Sequence, residues 1–154
     1  MTHSLKDIVG VRDILFKISF LGGISGTELD LMLGYFEEIT FKTGDVISKN
    51  GDHSSHIFII RSGRVELRIV DENHDIRKRE FTVGDHFGEV SMLSMINDTA
   101  TFLALDDCEC IAFPRKSLMR LKNENADLFS RLLLNLARDL ARKLQYSADL
   151  MLRG

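Results

Sequence analysis

The stretch that most constrains the fold is residues 84–104, GDHFGEVSMLSMINDTATFLA. Its residue pattern predicts three changes of secondary structure within a short length. The dipeptide starting at Gly84 predicts a tight turn, and Gly88 predicts a second break. Residues 89–94 leave room for little more than one helical turn before strand-like alternation returns at residues 99–104. The predicted order is therefore strand, tight turn, short helix, turn and strand.

A short helix that begins directly after Gly88 has a chemical consequence. Its first backbone N–H groups point outward at the positive end of the helix dipole, which makes a site for an anion. Glu89 lies beside that site and can accept a hydrogen bond from a hydroxyl group. Two structural interpretations stay open, since a carboxylate at Glu89 also favours a helix start and Asn97-Asp98 also suits an ordinary Asx turn.

Residues 38–113 alternate between short strand-like segments and turn residues. The segment at residues 64–70 has the pattern of a strand with one buried face, because Val65, Leu67 and Ile69 alternate with Glu66 and Arg68. The predicted strands cover residues 38–42, 46–49, 56–60, 64–70, 76–82, 85–87, 100–106 and 108–113. Eight short strands of this spacing predict an antiparallel jelly roll, so the expected fold class is mainly β with flanking helices.

Helical segments precede and follow the predicted strands. Residues 5–37 have helical spacing interrupted by Gly22-Gly23, and Ser25 and Glu28 have the spacing of a capping box. Two further helices are predicted at residues 116–122 and 126–152. We therefore expect a single domain: a helical entrance over residues 1–37, a jelly roll over 38–113 and C-terminal helices over 114–154.

The last predicted helix carries an apolar stripe. Its members are Leu133, Leu136, Leu140, Leu144 and Met151. Cationic residues flank the stripe, namely Arg131, Arg138, Arg142 and Lys143. A helix of this pattern must bury its apolar face, either against the barrel or against a second copy. The width of the stripe predicts a homodimer through this helix.

Composition excludes several classes of protein. The net charge of −3 and the absence of a basic stripe argue against direct nucleic-acid binding, so the basic run at residues 77–79 is predicted to be a solvated face. No apolar run is long enough to span a membrane, and the N-terminus lacks a secretory pattern, so we expect a cytoplasmic chain. Cys108 and Cys110 are expected to be buried thiols.

Catalytic and metal-ligating patterns are weak. His53 and His56 resemble a metal pair, but no further ligands follow at suitable spacing. Ser91, Ser94 and Thr99 lack an evident base and acid. The sequence therefore predicts a protein that is not an enzyme and holds no metal.

The central stretch resembles the phosphate-binding cassette of the cyclic nucleotide-binding domain family. The matching residues are Phe87-Gly88-Glu89, Leu93, Thr99-Ala100-Thr101 and Ala104. The resemblance covers about residues 10–145. It implies a sensor domain of the cAMP receptor protein or protein kinase A regulatory-subunit type. We expect no helix-turn-helix after it, because the sequence ends at Gly154.

The resemblance implies a role for each matching position. Glu89 would bind the ribose 2′-hydroxyl, while the backbone of residues 88–91 and Thr99 would hold the cyclic phosphate. The position that carries the phosphate-binding arginine in the family is Asp98 here, which puts a carboxylate opposite an anion. The complete predicted site comprises Phe87, Gly88, Glu89, Val90, Ser91, Asp98, Thr99 and Ala100.

Two hypotheses about function follow. The first is a regulatory module that binds cAMP or cGMP, weakly because of Asp98, and acts on an effector protein whose identity the sequence does not give. The second is an interaction or dimerisation module that keeps the fold and has lost the ligand. Arg138 and Arg142 on the long helix are candidates for supplying the positive charge that Asp98 lacks.

Overall fold

The computed structural model describes residues 11–49, 51, 55–70, 73–95 and 100–153. All eight predicted strands are present, with ends shifted by a few residues at most. They are β1 (Glu37–Phe41), β2 (Val46–Ser48), β3 (His56–Ser62), β4 (Val65–Val70), β5 (Ile76–Phe81), β6 (His86–Phe87), β7 (Thr101–Ala104) and β8 (Cys108–Pro114).

The strands form two four-stranded sheets whose orders are β1-β8-β3-β6 and β2-β7-β4-β5. Every described pairing is antiparallel. Consecutive strands repeatedly belong to different sheets, since β1 and β3 lie in one sheet and β2 and β4 lie in the other. This crossing between two antiparallel sheets confirms the predicted jelly roll.

Within the described ranges, five α-helices surround the strands: α1 (Val11–Phe16), α2 (Gly26–Met32), α3 (Glu89–Ser94), α4 (Arg115–Glu124) and α5 (Ala126–Arg153). Short 3-10 turns occupy Ser19–Leu21 and Leu33–Tyr35. The capping box is confirmed, because Ser25 and Glu28 each bond the other's backbone N–H. The part of the N-terminal helical prediction at residues 5–10 lies outside the described residues.

The sheet β1-β8-β3-β6 is buried on both faces because helices cover its outer side. Ile57 and Phe113 belong to the cluster that packs with the helices. Phe58 and Ala112 belong to the cluster inside the barrel. This arrangement explains why residues 57–60 are continuously apolar rather than alternating.

The apolar stripe on α5 differs from the prediction. Its buried face is made by Leu128, Leu132 and Leu136, which are fully buried and pack with the N-terminal helices and α4. Leu133 and Leu144, which the prediction assigns to the same stripe, are 39% and 73% exposed. The prediction is therefore wrong about which leucines of α5 are buried. Leucines occur on more than one face of this helix, so the sequence alone does not show which face packs against the rest of the chain.

The two cysteines are buried and unbridged, as predicted. Cys108 and Cys110 both belong to the cluster inside the barrel. Burial raises the pKa of the Cys110 thiol to about 12, so this thiol stays protonated and unreactive at neutral pH.

Candidate functional site

A cavity of about 400 Å³ opens between the second sheet, α3 and α5. One side is apolar and aromatic, and the other carries the polar residues around α3. The lining residues are Leu67, Ile69, Arg79, Phe81, His86, Phe87, Gly88, Glu89, Val90, Ser91, Ser94, Ala100, Phe102 and Lys143. The volume suits a small organic ligand.

Glu89 is the most buried charged residue at this cavity. It is the first residue of α3, and its relative exposure is 3%. Gly88 precedes it with φ 95° and ψ −10°, a left-handed conformation that a residue with a side chain adopts only at a cost. The glycine therefore lets the chain leave β6 and start α3 with Glu89 directed inward.

Two basic side chains approach the Glu89 carboxylate. The ammonium group of Lys143, on α5, donates to Oε1 at 2.5 Å. Nδ1 of His86 lies 3.3 Å from Oε2. Within the described part of the chain neither Nδ1 of His86 nor Oε2 of Glu89 makes a hydrogen bond, although both atoms are buried. One carboxylate oxygen thus retains its capacity to accept a hydrogen bond.

These neighbours keep Glu89 ionised. Burial on its own would raise the pKa of this carboxyl group, but the proximity of His86 and of the Lys143 ammonium outweighs burial and lowers the pKa to about 2. A buried carboxylate that stays charged is a strong hydrogen-bond acceptor. Glu89 is therefore suited to bind a hydroxyl donor at neutral pH.

A second acidic residue extends this cluster toward the N-terminal helices. Asp139, on α5, is 6% exposed, and its Oδ2 accepts a 2.6 Å hydrogen bond from the Ser19 hydroxyl. The same oxygen lies 3.9 Å from Nε2 of His86. His86 consequently lies between two carboxylates, and this chain of contacts links α3, α5 and the turn at Ser19–Leu21.

The opposite wall of the cavity is supplied by β4, β5 and β7. Leu67 lies opposite Phe102 on one side and opposite Arg79 on the other, so the three side chains form a row across the sheet. Phe102 stacks on Phe87, with ring centroids 4.7 Å apart. The wall is therefore largely apolar and aromatic, and Arg79 is its charged member.

Six of the eight predicted site residues line this cavity, namely Phe87, Gly88, Glu89, Val90, Ser91 and Ala100. Their role in binding stays a prediction. The other two, Asp98 and Thr99, lie outside the described residues.

Three basic cavity residues, Arg79, His86 and Lys143, are absent from the site predicted from sequence. Arg79 belongs to the run predicted to be a solvated face, and Lys143 is noted there only as a neighbour of the leucine stripe. The two arginines suggested as substitutes for the missing charge, Arg138 and Arg142, do not line the cavity as Lys143 does. Arg142 instead approaches Asp139 at 3.6 Å. A lysine at helical spacing from buried leucines is the signal that could have identified Lys143.

The described residues give no support to a metal centre. No group of three or more His, Cys, Asp or Glu side chains among them is placed to hold a metal ion. His56 instead contacts the Ser55 hydroxyl at 2.8 Å and stacks on Phe58, while His53 lies outside the described residues. None of the helices in the described ranges combines the length and the apolar character that crossing a bilayer requires.

Comparison with known proteins agrees with this geometry. The profile of the cyclic nucleotide-binding domain matches residues 38–125, which covers the barrel, α3 and α4. The chain therefore belongs to the cyclic nucleotide-binding domain family. The resemblance inferred from the cassette residues is confirmed at the level of the family.

Similar proteins include two regulators. The chain is 28% identical over 132 residues to the cAMP-dependent protein kinase regulatory subunit of Blastocladiella emersonii, covering 85% of this chain and 33% of that protein. It is 32% identical over 136 residues to the cyclic AMP receptor protein of Thermus thermophilus, covering 84% of this chain and 58% of that protein. The chain thus spans about a third of the first relative and somewhat more than half of the second.

A solved structure shows the same fold. The catabolite activator protein of Thermus thermophilus superposes with a TM-score of 0.77 at 29% sequence identity, covering 88% of this chain and 62% of that chain. The likeness extends through the flanking helices, since the covered share exceeds that of the barrel alone.

Proposed function

We propose that this chain is a regulatory module that binds cAMP or cGMP in the cavity beside α3. Membership of the cyclic nucleotide-binding domain family supports a regulatory role of this kind. The named relatives are a cAMP-dependent protein kinase regulatory subunit and a cyclic AMP receptor protein, which supports a cyclic nucleotide as the class of ligand. No metal and no catalytic step are part of this proposal.

The observation that carries the proposal is the state of Glu89. Its carboxylate is buried and ionised, it borders a cavity of suitable size, and its Oε2 atom makes no hydrogen bond within the described residues. A ribose 2′-hydroxyl would provide the missing donor. An unsatisfied buried acceptor costs about 1–3 kcal/mol, so a ligand that satisfies it gains affinity.

The remaining predicted contacts follow from the placement of α3. The backbone amides of its first turn, after Gly88, would hold the cyclic phosphate together with Thr99. Phe87 and Ala100 line the same cavity and would pack against the nucleotide. Asp98 opposes the phosphate charge in this arrangement, so we propose weak binding.

The signal would leave through α5. Lys143 of this helix bonds directly to Glu89, so a ligand that shifts the carboxylate also shifts the contact that ties the helix to the cavity. We propose that α5 changes position when the ligand binds. We also propose that two copies associate through the exposed leucines of α5, and that a cytoplasmic effector protein binds differently to the two positions of the helix.

A second candidate function is favoured by one specific residue. By its resemblance to the family's cassette, Asp98 takes the position of the phosphate-binding arginine, and a carboxylate there would repel the ligand. In this alternative the chain keeps the fold and serves as an interaction or dimerisation module without nucleotide.

Calorimetric titration with cAMP and cGMP tests the proposal. We expect saturable binding by the unmodified chain and a loss of affinity of at least tenfold in Glu89→Gln, because a neutral amide is a weaker acceptor for the ribose hydroxyl. Glu37→Gln is a matched control, since Glu37 also pairs with a lysine, Lys116 at 3.3 Å, but does not line the cavity. Absence of binding to both nucleotides would favour the ligand-free module.

A further inference from the structure

The ring of His86 lies between two buried carboxylates that belong to different helices. Its Nδ1 atom is 3.3 Å from Oε2 of Glu89 on α3, and its Nε2 atom is 3.9 Å from Oδ2 of Asp139 on α5. The side chain is 11% exposed, lines the cavity and packs edge-to-face on Phe20. The proposed function uses the Glu89 carboxylate but assigns no role to this ring.

A neutral imidazole cannot donate to both carboxylates. It carries a hydrogen on one nitrogen only, so the other nitrogen turns a lone pair toward the carboxylate on its side. Within the part of the chain that the structure describes, Nδ1 of His86 and Oε2 of Glu89 are both buried and neither makes a hydrogen bond. An imidazolium has a hydrogen on each nitrogen, so one added proton lets the ring donate to Glu89 and to Asp139 at once.

The buried charges next to the ring are both negative, whereas the cations near it are open to water. The charged groups that face the ring or the cavity from the surrounding elements are Glu89 of α3, Asp139, Arg142 and Lys143 of α5, and Arg79 of β5. The three cations are exposed or half exposed, so water screens them. A bound cyclic nucleotide would bring a third negative charge into this cavity.

The remaining neighbours of the ring do not supply a balancing charge. The strand β3, which pairs with β6, places Ile59 opposite His86, and the Arg61 side chain of β3 bonds Glu109 at 2.8 Å. The turn at Ser19–Leu21 contributes a hydroxyl group that donates to Asp139. Histidine ordinarily changes its charge between about pH 5 and 8, while Glu89, with a pKa of about 2, stays ionised throughout that range.

We propose that His86 holds the bound cyclic nucleotide as an imidazolium, so that binding takes up a proton from solvent at this ring. The proton goes to the ring nitrogen that carries none in the neutral form, and no bond of the nucleotide forms or breaks. The imidazolium and the ribose hydroxyl do not compete, because a carboxylate oxygen has two lone pairs and Oε2 of Glu89 accepts from both. The proposal rests on the proposed function, since it adds a residue and a proton to the same site.

Proton uptake fixes the direction of the pH dependence. The bound state holds more protons than the free state, so the affinity rises as the pH falls. We expect the affinity for cAMP and cGMP to be about fivefold higher at about pH 6 than at about pH 8, near the low end of the usual range for coupled sites.

Calorimetric titration of the full chain with cAMP and cGMP at these two pH values measures the dependence. Titration at an intermediate pH in PIPES and again in Tris measures the proton itself, because the two buffers release protons with different enthalpies. The apparent binding enthalpies should differ by that buffer difference multiplied by the number of protons taken up. A positive uptake of at most one proton per nucleotide is expected.

Two variants assign the proton to the ring. His86→Gln stays neutral at every pH, so its affinity should lose the pH dependence and remain near that of the unmodified chain at about pH 8. His86→Lys keeps a positive charge throughout, so it should bind more tightly than His86→Gln and without proton uptake. His74→Asn is the matched control, because it removes an exposed histidine that does not line the cavity, and asparagine tolerates the left-handed backbone there, φ 65°. It should keep the pH dependence of the unmodified chain.

Each other result counts against a definite statement. Equal affinity at the two pH values, or proton uptake that persists in His86→Gln, would overturn the role of His86 and leave the proposed function intact. A weaker His86→Gln that retains the pH slope of the unmodified chain would show that the ring only supports the fold, which also overturns it. No binding of either nucleotide at any pH would overturn both this proposal and the proposed function.

Discussion

The Nζ atom of Lys143 lies 2.5 Å from Oε1 of Glu89, which ties the long helix α5 to the first residue of the short helix α3 across 54 positions of sequence. The contact joins the element that borders the cavity to the helix that carries exposed leucines. Lys143 is about half exposed while Glu89 is buried, so the pair lies at the edge of the cavity and is partly screened by water. A change at either residue is therefore expected to affect both the cavity and the helix.

The first prediction concerns acid stability. Glu89 has a folded pKa of about 2 against an ordinary value of 4.5, so on acidification the unfolded chain takes up this proton first. The stabilisation is complete above about pH 5 and is lost as the pH falls toward 2. A shift of this size corresponds to about 3 kcal/mol in the free energy of unfolding.

Urea unfolding at a series of pH values measures this effect by comparison with Glu89→Gln. The difference in the free energy of unfolding between the unmodified chain and the variant should shrink by about 3 kcal/mol between pH 5 and pH 2, since the variant lacks the titrating group. A difference that stays constant over this range would show that Glu89 has an ordinary pKa.

The second prediction concerns the partner of this carboxylate. Lys143→Met should lower the free energy of unfolding by about 1–3 kcal/mol, because Glu89 stays buried and charged with His86 as its remaining close basic neighbour. Arg138→Met removes an exposed cation from the same helix and should change stability by less than about 0.5 kcal/mol. Similar losses in the two variants would indicate a general effect of helix charge rather than the specific pair.

Much of the fold was predictable because its signals are local. Turn residues separate the strands, and the capping box of Ser25 and Glu28 marks the start of α2 through contacts between residues three apart. Gly88 and Glu89 likewise predicted the start of α3 from adjacent positions. Local backbone preference is a property of the sequence itself, so it can be recognised without knowledge of the tertiary packing.

The contacts around the cavity could not be predicted in the same way. The contact between Lys143 and Glu89 depends on how α5 packs in the folded chain, because the two residues are 54 positions apart in sequence. Arg79 belongs to a basic run that has the composition of a solvated surface, yet the register of β5 against β4 places it on the cavity wall. Asp139 was missed for the same reason, because its partner Ser19 is 120 positions away.

The third prediction uses two glycines that share a left-handed conformation. Gly44 has φ +88° and open space where the Cβ of a larger residue would lie, whereas at Gly63, with φ +90°, a Cβ would lie 2.6 Å from the carbonyl oxygen of Asp107 and 2.7 Å from Sγ of Cys108. Gly44→Ala should cost about 1–2 kcal/mol through backbone strain alone. Gly63→Ala should cost about 1–3 kcal/mol more because of the clash. If thermal or urea unfolding shows that both variants lose the same free energy of unfolding, then Asp107 and Cys108 can move aside to accommodate the new Cβ at position 63.

The fourth prediction concerns self-association through α5. Leu134 and Leu144 are 50% and 73% exposed, so a second copy could cover them without disturbing the core. At micromolar concentration the chain should sediment at twice its mass of 17.5 kDa, and Leu134→Glu combined with Leu144→Glu should return it to monomer. Leu136 is unsuitable for this test because it is fully buried within the monomer.

A matched control for the dimer is Leu31→Glu, which places the same charge on an exposed leucine of α2. This variant should sediment like the unmodified chain. A monomeric unmodified chain would refute association through α5, and dissociation by Leu31→Glu would move the interface to the N-terminal helices.

The last prediction concerns Asp98, which the resemblance to the family's cassette predicts to stand at the position of the phosphate-binding arginine. A carboxylate there repels the cyclic phosphate, whereas an arginine forms a bidentate pair with it. Asp98→Arg should raise the affinity for cAMP and cGMP at least tenfold in calorimetric titration, since removing one partner of a buried charge pair typically costs about 2–5 kcal/mol. Glu89→Gln in the Asp98→Arg background should remove part of that gain only if the ribose is held at Glu89. Tight binding by the unmodified chain that Asp98→Arg weakens would instead show that another basic residue of the cavity, such as Lys143, neutralises the phosphate.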